Sequence, residues 1–255
     1  QAASDLLWQH WQQGRRMNGL PEAMRPATRA EGYAIQSLIE SRSPKPIFGW
    51  KIAATSREGQ AHIGVDGPLA GRLPAERVVT SGAMLPLKTN LMKVAELELA
   101  FRLGRDMAPR PKPYTIDEVM NIVDSLHIGI EIPDSRFEDF VTAGAPQLIA
   151  DDACADYYVL GPAAPEQWRS LDLAKHKVKG IVAGKYDRDG LGGNVLGDPR
   201  IALTWLVNEL SKIGVGLKAG QVATTGTCLP PLEVNSGDEV TGDFGQLGRV
   251  SVRLS

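Results

Sequence analysis

The sequence predicts a β-rich α+β domain that begins with a helical segment. Three observations support this prediction. Residues 1–45 have helical character, and from Phe48 onward short runs rich in Val, Ile, Thr and Tyr alternate with Gly and Pro. Two helices with clear capping signals interrupt these runs. We therefore expect a helical N-terminal segment over residues 1–47 and one larger domain over residues 48–255.

Two stretches of the N-terminal segment are predicted to be helices. The first, "SDLLWQHWQQGRR", begins with the capping-type residue Ser4 and ends near Gly14. The second, "ATRAEGYAIQSLIESR", places Ile35 four residues before Ile39, which is the spacing of one helix face. The stretch "SPKP" at 43–46 then ends the helical segment.

The larger domain contains eight strand-length runs bounded by turn residues. They are "GWKIAATS", "VAELELAF", "HIGIEI", "DYYVLG", "VKGIVAGKY", "QVATTG", "DEVTGDF" and "GRVSVRL". The last two are close in sequence and are joined by a glycine-containing stretch. We expect them to form a hairpin that turns between Gly245 and Gly248.

Two helices are predicted inside this domain. Thr115 and Glu118 form a capping box before "VMNIVDSLH". Asp198 followed by Pro199 is an N-cap with proline at the first helical position, and Gly214 is the expected C-cap of that helix.

Composition and charge exclude several classes of protein. The chain has 255 residues, of which 43% are hydrophobic and 23% charged, and its net charge is −2. It has no basic run, so we expect no nucleic-acid partner. It has no stretch near the roughly 18 apolar residues of a membrane span, so we expect no membrane partner. The chain starts "QAASDLLWQHW", without the features of a signal peptide, and we expect a cytoplasmic location.

Cysteine and histidine spacing argues against a disulfide framework and against a zinc site. Cys154 and Cys228 form no CxxC pair. The four histidines are scattered without zinc-ligand spacing, and no Gly-x-Ser-x-Gly sequence is present. A serine triad and a zinc site are therefore poorly supported.

Two carboxylates two residues apart raise the first question about function. Glu96 and Glu98 lie inside the apolar run "KVAELELAF", and on a strand they project from the same face. They repel each other unless a counter-charge such as Mg²⁺ or Mn²⁺ lies between them. A solvated strand face is the alternative, and the stretch by itself favours that alternative. Glu131 ends the apolar strand "IGIEI" and is either a third ligand or an ordinary strand terminus.

Two further stretches offer polar groups to a site. Lys51 lies in the apolar run "GWKIAATS", where it either extends to solvent, pairs with an acid or contacts an anionic substrate. Thr225, Gly226 and Thr227 follow a predicted strand, where their hydroxyl and backbone N–H groups either hold a carboxylate or only form the turn.

Taken together, these stretches resemble the fumarylacetoacetate hydrolase superfamily, and in particular its hydratase and decarboxylase branch. The resemblance runs from about residue 32 to the C-terminus. It rests on five motifs in order: "GWKIAATS", "AELELAF", "IEIPDSRF", "IADDACADYYVLG" and "TTGT". Each motif alone is weak, but the ordered set reverses the preference for a solvated face. The resemblance implies a mixed β-roll core, with residues 48–255 as the catalytic domain.

The resemblance also implies roles for individual residues. Glu96, Glu98 and Glu131 correspond to the three carboxylates around one Mg²⁺ or Mn²⁺, and Lys51 corresponds to the active-site lysine. Thr225, Gly226 and Thr227 form the family's substrate-side turn.

Two positions depart from the pattern. Glu76 stands where hydratases usually carry an aspartate acid/base, and Asp152 stands where an asparagine is usual. If Asp152 lines the substrate pocket as a carboxylate, it disfavours a second substrate carboxylate by like-charge repulsion.

The expected function is a metal-dependent hydratase of the 2-keto-4-pentenoate type, acting on a 2-oxo acid in aromatic catabolism. The first alternative is a 2-oxo-3-hexenedioate decarboxylase, or a hydrolase that cleaves a C–C bond of an acylpyruvate or maleylpyruvate. The second alternative is a non-catalytic partner subunit, which the retained acids and Lys51 disfavour. We expect a homo-oligomer, and association with another enzyme of the pathway is left open.

Overall fold

The computed structural model describes all 255 residues of the chain. The helices, in chain order, are α1 (Ala2–Gln13), α2 (Arg29–Ser37), α3 (Arg57–His62), α4 (Ile116–Met120), α5 (Ala145–Ala150) and α6 (Pro199–Lys212). None of them is long and apolar enough to cross a bilayer. The first strand begins at Gly49. The division into units at residues 1–47 and 48–255 stays a prediction.

The strands form two sheets. They are β1 (Gly49–Ala53), β2 (Leu69–Leu73), β3 (Val78–Thr80), β4 (Met84–Leu85), β5 (Val94–Leu103), β6 (Val123–Ile132), β7 (Tyr157–Ala163), β8 (Lys177–Val182), β9 (Tyr186–Leu191), β10 (Val222–Thr227), β11 (Leu232–Glu233), β12 (Glu239–Asp243) and β13 (Arg249–Leu254). The content of strands and short helices confirms the predicted α+β class.

The larger sheet has eight strands and is mixed. Its order is β2-β1-β10-β5-β6-β7-β3, and β11 pairs with β5 outside this path. The pairs β1–β10 and β3–β7 are parallel, and the remaining pairs are antiparallel. The smaller sheet has five strands in the order β4-β13-β12-β8-β9.

The two faces of β5 have different surroundings. Leu97 packs against the smaller sheet, since a Cβ placed on Gly242 of β12 would lie 3.0 Å from its side chain. Leu97 and Leu99 are fully buried in the main apolar core. Because strand residues alternate between faces, Glu96 and Glu98 project from the opposite face of the larger sheet. The candidate site therefore lies on the face turned away from the smaller sheet.

Helix α1 differs slightly from its predicted bounds. It starts at Ala2 with Gln1 as the N-cap. Ser4 lies within the helix, where its hydroxyl accepts a hydrogen bond from Arg42 Nη1 at 2.7 Å, so the prediction of Ser4 as the cap was wrong. The helix ends at Gly14, as predicted, with a left-handed φ of 60°.

Helix α2 ties the edge of the larger sheet to α5. It begins with a capping box formed by Thr28 and Glu31. Gln36, which is fully buried, donates from Nε2 to the carbonyl oxygens of Ala70 on β2 and Ile149 on α5, each at 2.9 Å. The helical N-terminal segment is thus anchored on both elements.

The helix predicted after Thr115 is shorter than expected. The capping box forms, but α4 ends at Met120. The stretch that follows is strand β6, in which Ser125 pairs with Arg102 of β5. Pairing with β5 therefore overrides the helical propensity of this stretch.

The last helix and the last hairpin agree with the sequence. Asp198 caps α6 by accepting from the N–H of Arg200 at 2.7 Å, and Gly214 follows the helix with a φ of 74°. Strands β12 and β13 pair antiparallel around a 3₁₀ turn at Gly245–Leu247. The N-cap and the hairpin are confirmed, and the C-cap of α6 is Ile213, one residue before the predicted Gly214.

Candidate active site

Three carboxylates meet where β5 and β6 pair. Glu96 lies directly opposite Glu131, and Glu98 is two residues further along β5. One oxygen from each carboxylate lies within 4.8 Å of the other two. Glu98 and Glu131 are 0% and 1% exposed, and Glu96 is partly buried. The strand register therefore brings together the three acids that the sequence singles out as ligands.

Two buried oxygens of this cluster have no hydrogen-bond partner. Glu98 Oε2 accepts from the N–H of Gly226 at 3.0 Å, and Glu131 Oε1 is ion-paired with Lys51 Nζ at 3.0 Å, but Glu98 Oε1 and Glu131 Oε2 have no hydrogen-bond partner. Buried carboxylates without partners are costly, so the cluster is suited to a cation. Oxygen ligands match a hard ion such as Mg²⁺, and these three residues could hold one.

Burial and mutual repulsion control the ionisation of the cluster. Burial, followed by the charge of Glu131, raises the pKa of Glu96 to about 7. Burial, followed by the charges of Glu131 and Glu96, raises the pKa of Glu98 well above its ordinary value. A divalent cation among them would favour the ionised forms.

Lys51 extends from β1 into the same cluster. Its Nζ lies 3.0 Å from Glu131 Oε1 and donates to the carbonyl oxygen of Ala153 at 2.9 Å. Burial alone would lower the pKa of this amine, but the carboxylates of Glu131 and Glu96 outweigh burial and raise it above its ordinary value. The lysine is therefore held as a cation against the acid cluster.

The carbonyl that receives Lys51 belongs to an unusual turn. Asp152, Ala153 and Cys154 all have left-handed backbone, with φ values of 55°, 51° and 61°. Non-glycine residues rarely adopt this conformation, and each costs of the order of 1–2 kcal/mol. The turn packs closely on the sheet, since a Cβ on Gly71 would lie 2.4 Å from the carbonyl oxygen of Asp152. We refer to residues 152–154 as the left-handed turn.

Asp152 presents its backbone, not its carboxylate, to this part of the site. Its Oδ1 accepts from the backbone N–H of Arg72 at 2.7 Å, and its Oδ2 has no partner. The residue also lines a small cavity beneath α1, which includes Trp11 and Ile39. Burial raises the pKa of the Asp152 carboxyl to about 7. Substrate binding by this side chain stays a prediction without support from its position.

The structure does not bring Glu76 to the carboxylate cluster. Its side chain is exposed and accepts from Ser43 Oγ at 2.8 Å. An acid/base role needs hydrogen-bond reach of the substrate, so this role of Glu76 stays a prediction without support from its position. Glu76 lies beyond the end of β2. The residue of β2 that pairs with Lys51 is Gly71.

Thr225, Gly226 and Thr227 form the irregular end of β10 rather than a turn after a strand, and this end contacts the cluster through its backbone. Thr225 Oγ1 donates to the carbonyl of Leu99 at 2.8 Å, and Thr227 Oγ1 donates to that of Leu229 at 2.7 Å. Gly226 has a φ of 99°, and a Cβ there would lie 2.0 Å from Thr55 Oγ1. Glycine is therefore required at the residue whose N–H holds Glu98.

Two further polar groups lie on this face: Thr224, which belongs to the same threonine-rich stretch as Thr225, and Tyr158, which the sequence does not indicate. The Tyr158 hydroxyl is buried without a hydrogen-bond partner, and the buried Thr224 hydroxyl faces Glu98, where it acts to lower the pKa of that carboxyl against the larger effect of burial. Thr224 pairs with Ala100, which is two residues after Glu98 on β5, and this pairing places it on the site face. The placement of Tyr158 likewise depends on the pairing of β7 with β6.

The fold, the site and the relatives of this chain together define an enzyme of the hydratase and decarboxylase type. It belongs to the fumarylacetoacetate hydrolase family, since residues 57–255 match the family described as "Fumarylacetoacetate (FAA) hydrolase C-terminal". The resemblance inferred from the five motifs is therefore confirmed.

Two relatives and one solved structure show the range of similarity. A 2-keto-4-pentenoate hydratase of Paraburkholderia xenovorans (strain LB400) is 31% identical over 251 residues, covering 97% of this chain and 92% of its own length. A 2-hydroxyhexa-2,4-dienoate hydratase of Comamonas testosteroni is 29% identical, covering 86% and 83%.

The solved structure is that of 4-oxalocrotonate decarboxylase from Pseudomonas putida G7, complexed with magnesium and adipate. It has a TM-score of 0.90 at 24% identity, and the match covers 100% of this chain and 96% of that one. At this identity the likeness concerns the fold, and it confirms the predicted mixed β-roll core.

Proposed function

We propose that this enzyme is a metal-dependent hydratase that adds water to a 2-hydroxy-2,4-dienoate, through its 2-oxo-enoate form, in aromatic catabolism. The observation that carries the proposal is the buried cluster of Glu96, Glu98 and Glu131 with Lys51 3.0 Å from Glu131. The hydratase names of the relatives, at 31% and 29% identity, support the choice of reaction.

The three glutamates are the proposed ligands of Mg²⁺ or Mn²⁺. The buried oxygens Glu98 Oε1 and Glu131 Oε2 have no hydrogen-bond partner and fit a hard cation, and the related decarboxylase was solved with magnesium. When bound, the ion supplies Lewis-acid polarisation of the 2-oxo group of the substrate. The N–H of Gly226 fixes the orientation of the Glu98 carboxylate through its 3.0 Å hydrogen bond.

Lys51 is the proposed proton-moving group. Its ammonium is kept charged by the carboxylates, while burial acts in the opposite direction. Neutralising the carboxylates therefore makes the lysine a better proton donor. The carbonyl of Ala153 holds Nζ at one position, so that the proton is delivered from a fixed point.

The remaining predicted site residues have weaker roles in this proposal. Thr225 and Thr227 direct their hydroxyls to backbone carbonyls, so we expect them to shape the end of β10 while Gly226 serves the ligand carboxylate. Glu76 and Asp152 are not needed for the steps above. A homo-oligomer and a cytoplasmic location stay predictions.

A second candidate is the decarboxylase, or a C–C hydrolase, acting on a dicarboxylic 2-oxo acid. The protonation of Asp152 favours keeping it. Burial raises the pKa of this carboxyl to about 7, so a large share of it is neutral near neutral pH, and the like-charge repulsion that argued against a diacid is weakened. The related decarboxylase was solved with adipate, which is a diacid.

A direct comparison of substrates tests the proposal. The purified protein is incubated with Mg²⁺ and, in turn, 2-hydroxypenta-2,4-dienoate, 2-oxo-3-hexenedioate and maleylpyruvate. Water addition, CO₂ release and pyruvate release are measured respectively, with the Glu98→Gln variant as the control for background reaction. We expect hydration to have the highest kcat/KM. A higher kcat/KM for CO₂ or pyruvate release replaces the hydratase by the second candidate.

A further inference from the structure

Tyr158 extends across the site face of the larger sheet. It pairs with Glu131, so both side chains leave the sheet on the same side. Its ring lies over Gly129, since a Cβ on that glycine would be 1.9 Å from the Tyr158 hydroxyl and 2.3 Å from Cζ. Gly129 in turn pairs with Glu98. The absence of a side chain at Gly129 therefore lets the hydroxyl reach toward Glu98.

The ring of Tyr158 is fixed by apolar neighbours. It is fully buried in a small cluster with Ala100, Leu73 and Val222, separate from the main core. Ala100 is two residues after Glu98 on the same face of β5. The direction of the hydroxyl is therefore set by packing rather than by rotation of a free side chain.

The Tyr158 hydroxyl and Glu98 Oε1 are two of several buried polar atoms on this face that lack hydrogen-bond partners. The other oxygen of Glu98, Oε2, accepts a hydrogen bond from Gly226. A phenylalanine would fill the same apolar cluster without burying a hydroxyl. A buried hydroxyl without a partner destabilises the fold, so its presence calls for a role.

We propose that Tyr158 is a positioning residue for Glu98, and that its hydroxyl donates to Glu98 Oε1 when the carboxylate cluster holds its cation. A carboxylate has about four lone-pair sites, so Oε1 can accept this bond and still face the ion. Gly226 and Tyr158 then hold the two oxygens of one ligand from opposite sides. This inference rests on the metal role in the proposed function.

The test uses a matched pair of tyrosine variants and does not depend on turnover. Tyr158→Phe removes the proposed donor and keeps the ring. Tyr33→Phe removes a buried hydroxyl that is partnered elsewhere, since Tyr33 donates to Glu209 and accepts from the N–H of Ala70. Mn²⁺ affinity is measured by titration calorimetry, and thermal melts are recorded without metal.

We expect Tyr158→Phe to weaken Mn²⁺ binding about tenfold to a hundredfold, the usual cost of losing a group that orients a ligand. Its melting temperature without metal should equal or exceed that of wild type. Tyr33→Phe should lower the melting temperature and leave Mn²⁺ affinity unchanged.

Three results overturn the inference. Binding of Mn²⁺ by Tyr158→Phe within twofold of wild type rejects the positioning role alone. An equal loss of affinity in Tyr33→Phe assigns the effect to general destabilisation. Absence of Mn²⁺ and Mg²⁺ binding by the wild-type protein rejects the metal role in the proposed function, and the inference with it.

Discussion

Lys51 Nζ and Glu131 Oε1 lie 3.0 Å apart, with only 2% and 1% of their side chains exposed. The pair joins β1 to β6, two strands that do not neighbour each other in the larger sheet. A buried ion pair adds little net stability. Removing one partner leaves the other charge buried without a counter-charge, which typically costs about 3–5 kcal/mol. When no metal is bound, the positive charge of the lysine therefore offsets part of the negative charge of the acid cluster.

This relationship predicts the behaviour of Lys51→Met. Turnover should be abolished, since the proton-moving group is lost, while Mn²⁺ remains bound. The metal-free variant should lose about 3–5 kcal/mol of stability because Glu131 is left without its cation. Thermal melts with and without Mn²⁺, together with kcat on an active 2-oxo acid, measure these effects.

The control for Lys51→Met is Lys179→Met. Lys179 forms exposed ion pairs with Asp187 and Asp189, so its loss should change stability by no more than about 0.5 kcal/mol. A near wild-type kcat in Lys51→Met would leave this lysine a structural role only.

Glu98→Gln should remove metal binding more than it affects the fold. The change takes away one of three mutually repelling carboxylates, while the amide oxygen can still accept from the N–H of Gly226. The metal-free protein should therefore be as stable as wild type or more stable. Mn²⁺ titration calorimetry beside a thermal melt tests both expectations.

The control for Glu98→Gln is Glu239→Gln, at an acid paired with Arg253 near the surface. Its metal affinity should match that of wild type. If Glu98→Gln also binds Mn²⁺ as wild type does, Glu98 is not a ligand.

Asp152→Asn should stabilise the protein in a pH-dependent way. Burial raises the pKa of Asp152 to about 7 in the folded protein, above the 3.8 of an ordinary aspartate. The folded state therefore binds the proton more tightly than the unfolded state, and stability from this group falls as pH rises from about 4 to about 7. One pKa unit corresponds to about 1.4 kcal/mol, so the effect is of the order of a few kcal/mol.

Asparagine carries no charge and escapes this loss. Denaturant unfolding of the metal-free proteins at pH 4 and pH 8 should show a gain for Asp152→Asn at pH 8 and little difference at pH 4. A gain of equal size at both pH values would show that the carboxylate does not titrate as its burial implies.

Ala153→Gly reports on the strain of the left-handed turn. Glycine adopts a φ of 51° without steric cost, so the substitution relieves strain in the folded state. This gain in stability offsets the loss that comes from the greater flexibility of glycine in the unfolded chain. Ala223→Gly is the matched control, because Ala223 is equally buried but lies on β10. Urea unfolding should show Ala153→Gly to be about 1–2 kcal/mol less destabilising than the control. Equal losses would mean that the turn stores no strain.

The sequence predicts the acid cluster well because strand alternation is a local property. Glu96 and Glu98 lie on one strand, so their common face follows from their spacing. The position of Glu131 opposite Glu96 depends on the register of β5 and β6, which the sequence alone does not contain. The family resemblance indicates Glu131 as the third ligand but not its register with Glu96.

The parts that the sequence did not predict depend on tertiary contacts. The left-handed turn has no glycine to mark it, and its conformation is imposed by packing on Gly71 and by the bond from Arg72. Helix α4 is short because β6 pairs with β5. Glu76 and Asp152 were assigned by position in a motif, and the structure turns both side chains to other partners.

Because the left-handed turn is buried, the reactivity of its cysteine reports how often this part of the structure opens. Cys154 lies in that turn and Cys228 follows β10, and both thiols are free and buried. Burial raises the pKa of each to about 12, so that neither is a reactive thiolate at neutral pH. An alkylating reagent therefore labels either residue only when the surrounding structure opens. The labelling rate at each cysteine, read by mass spectrometry, gives the free energy of exposing each side of the site in the unmodified chain.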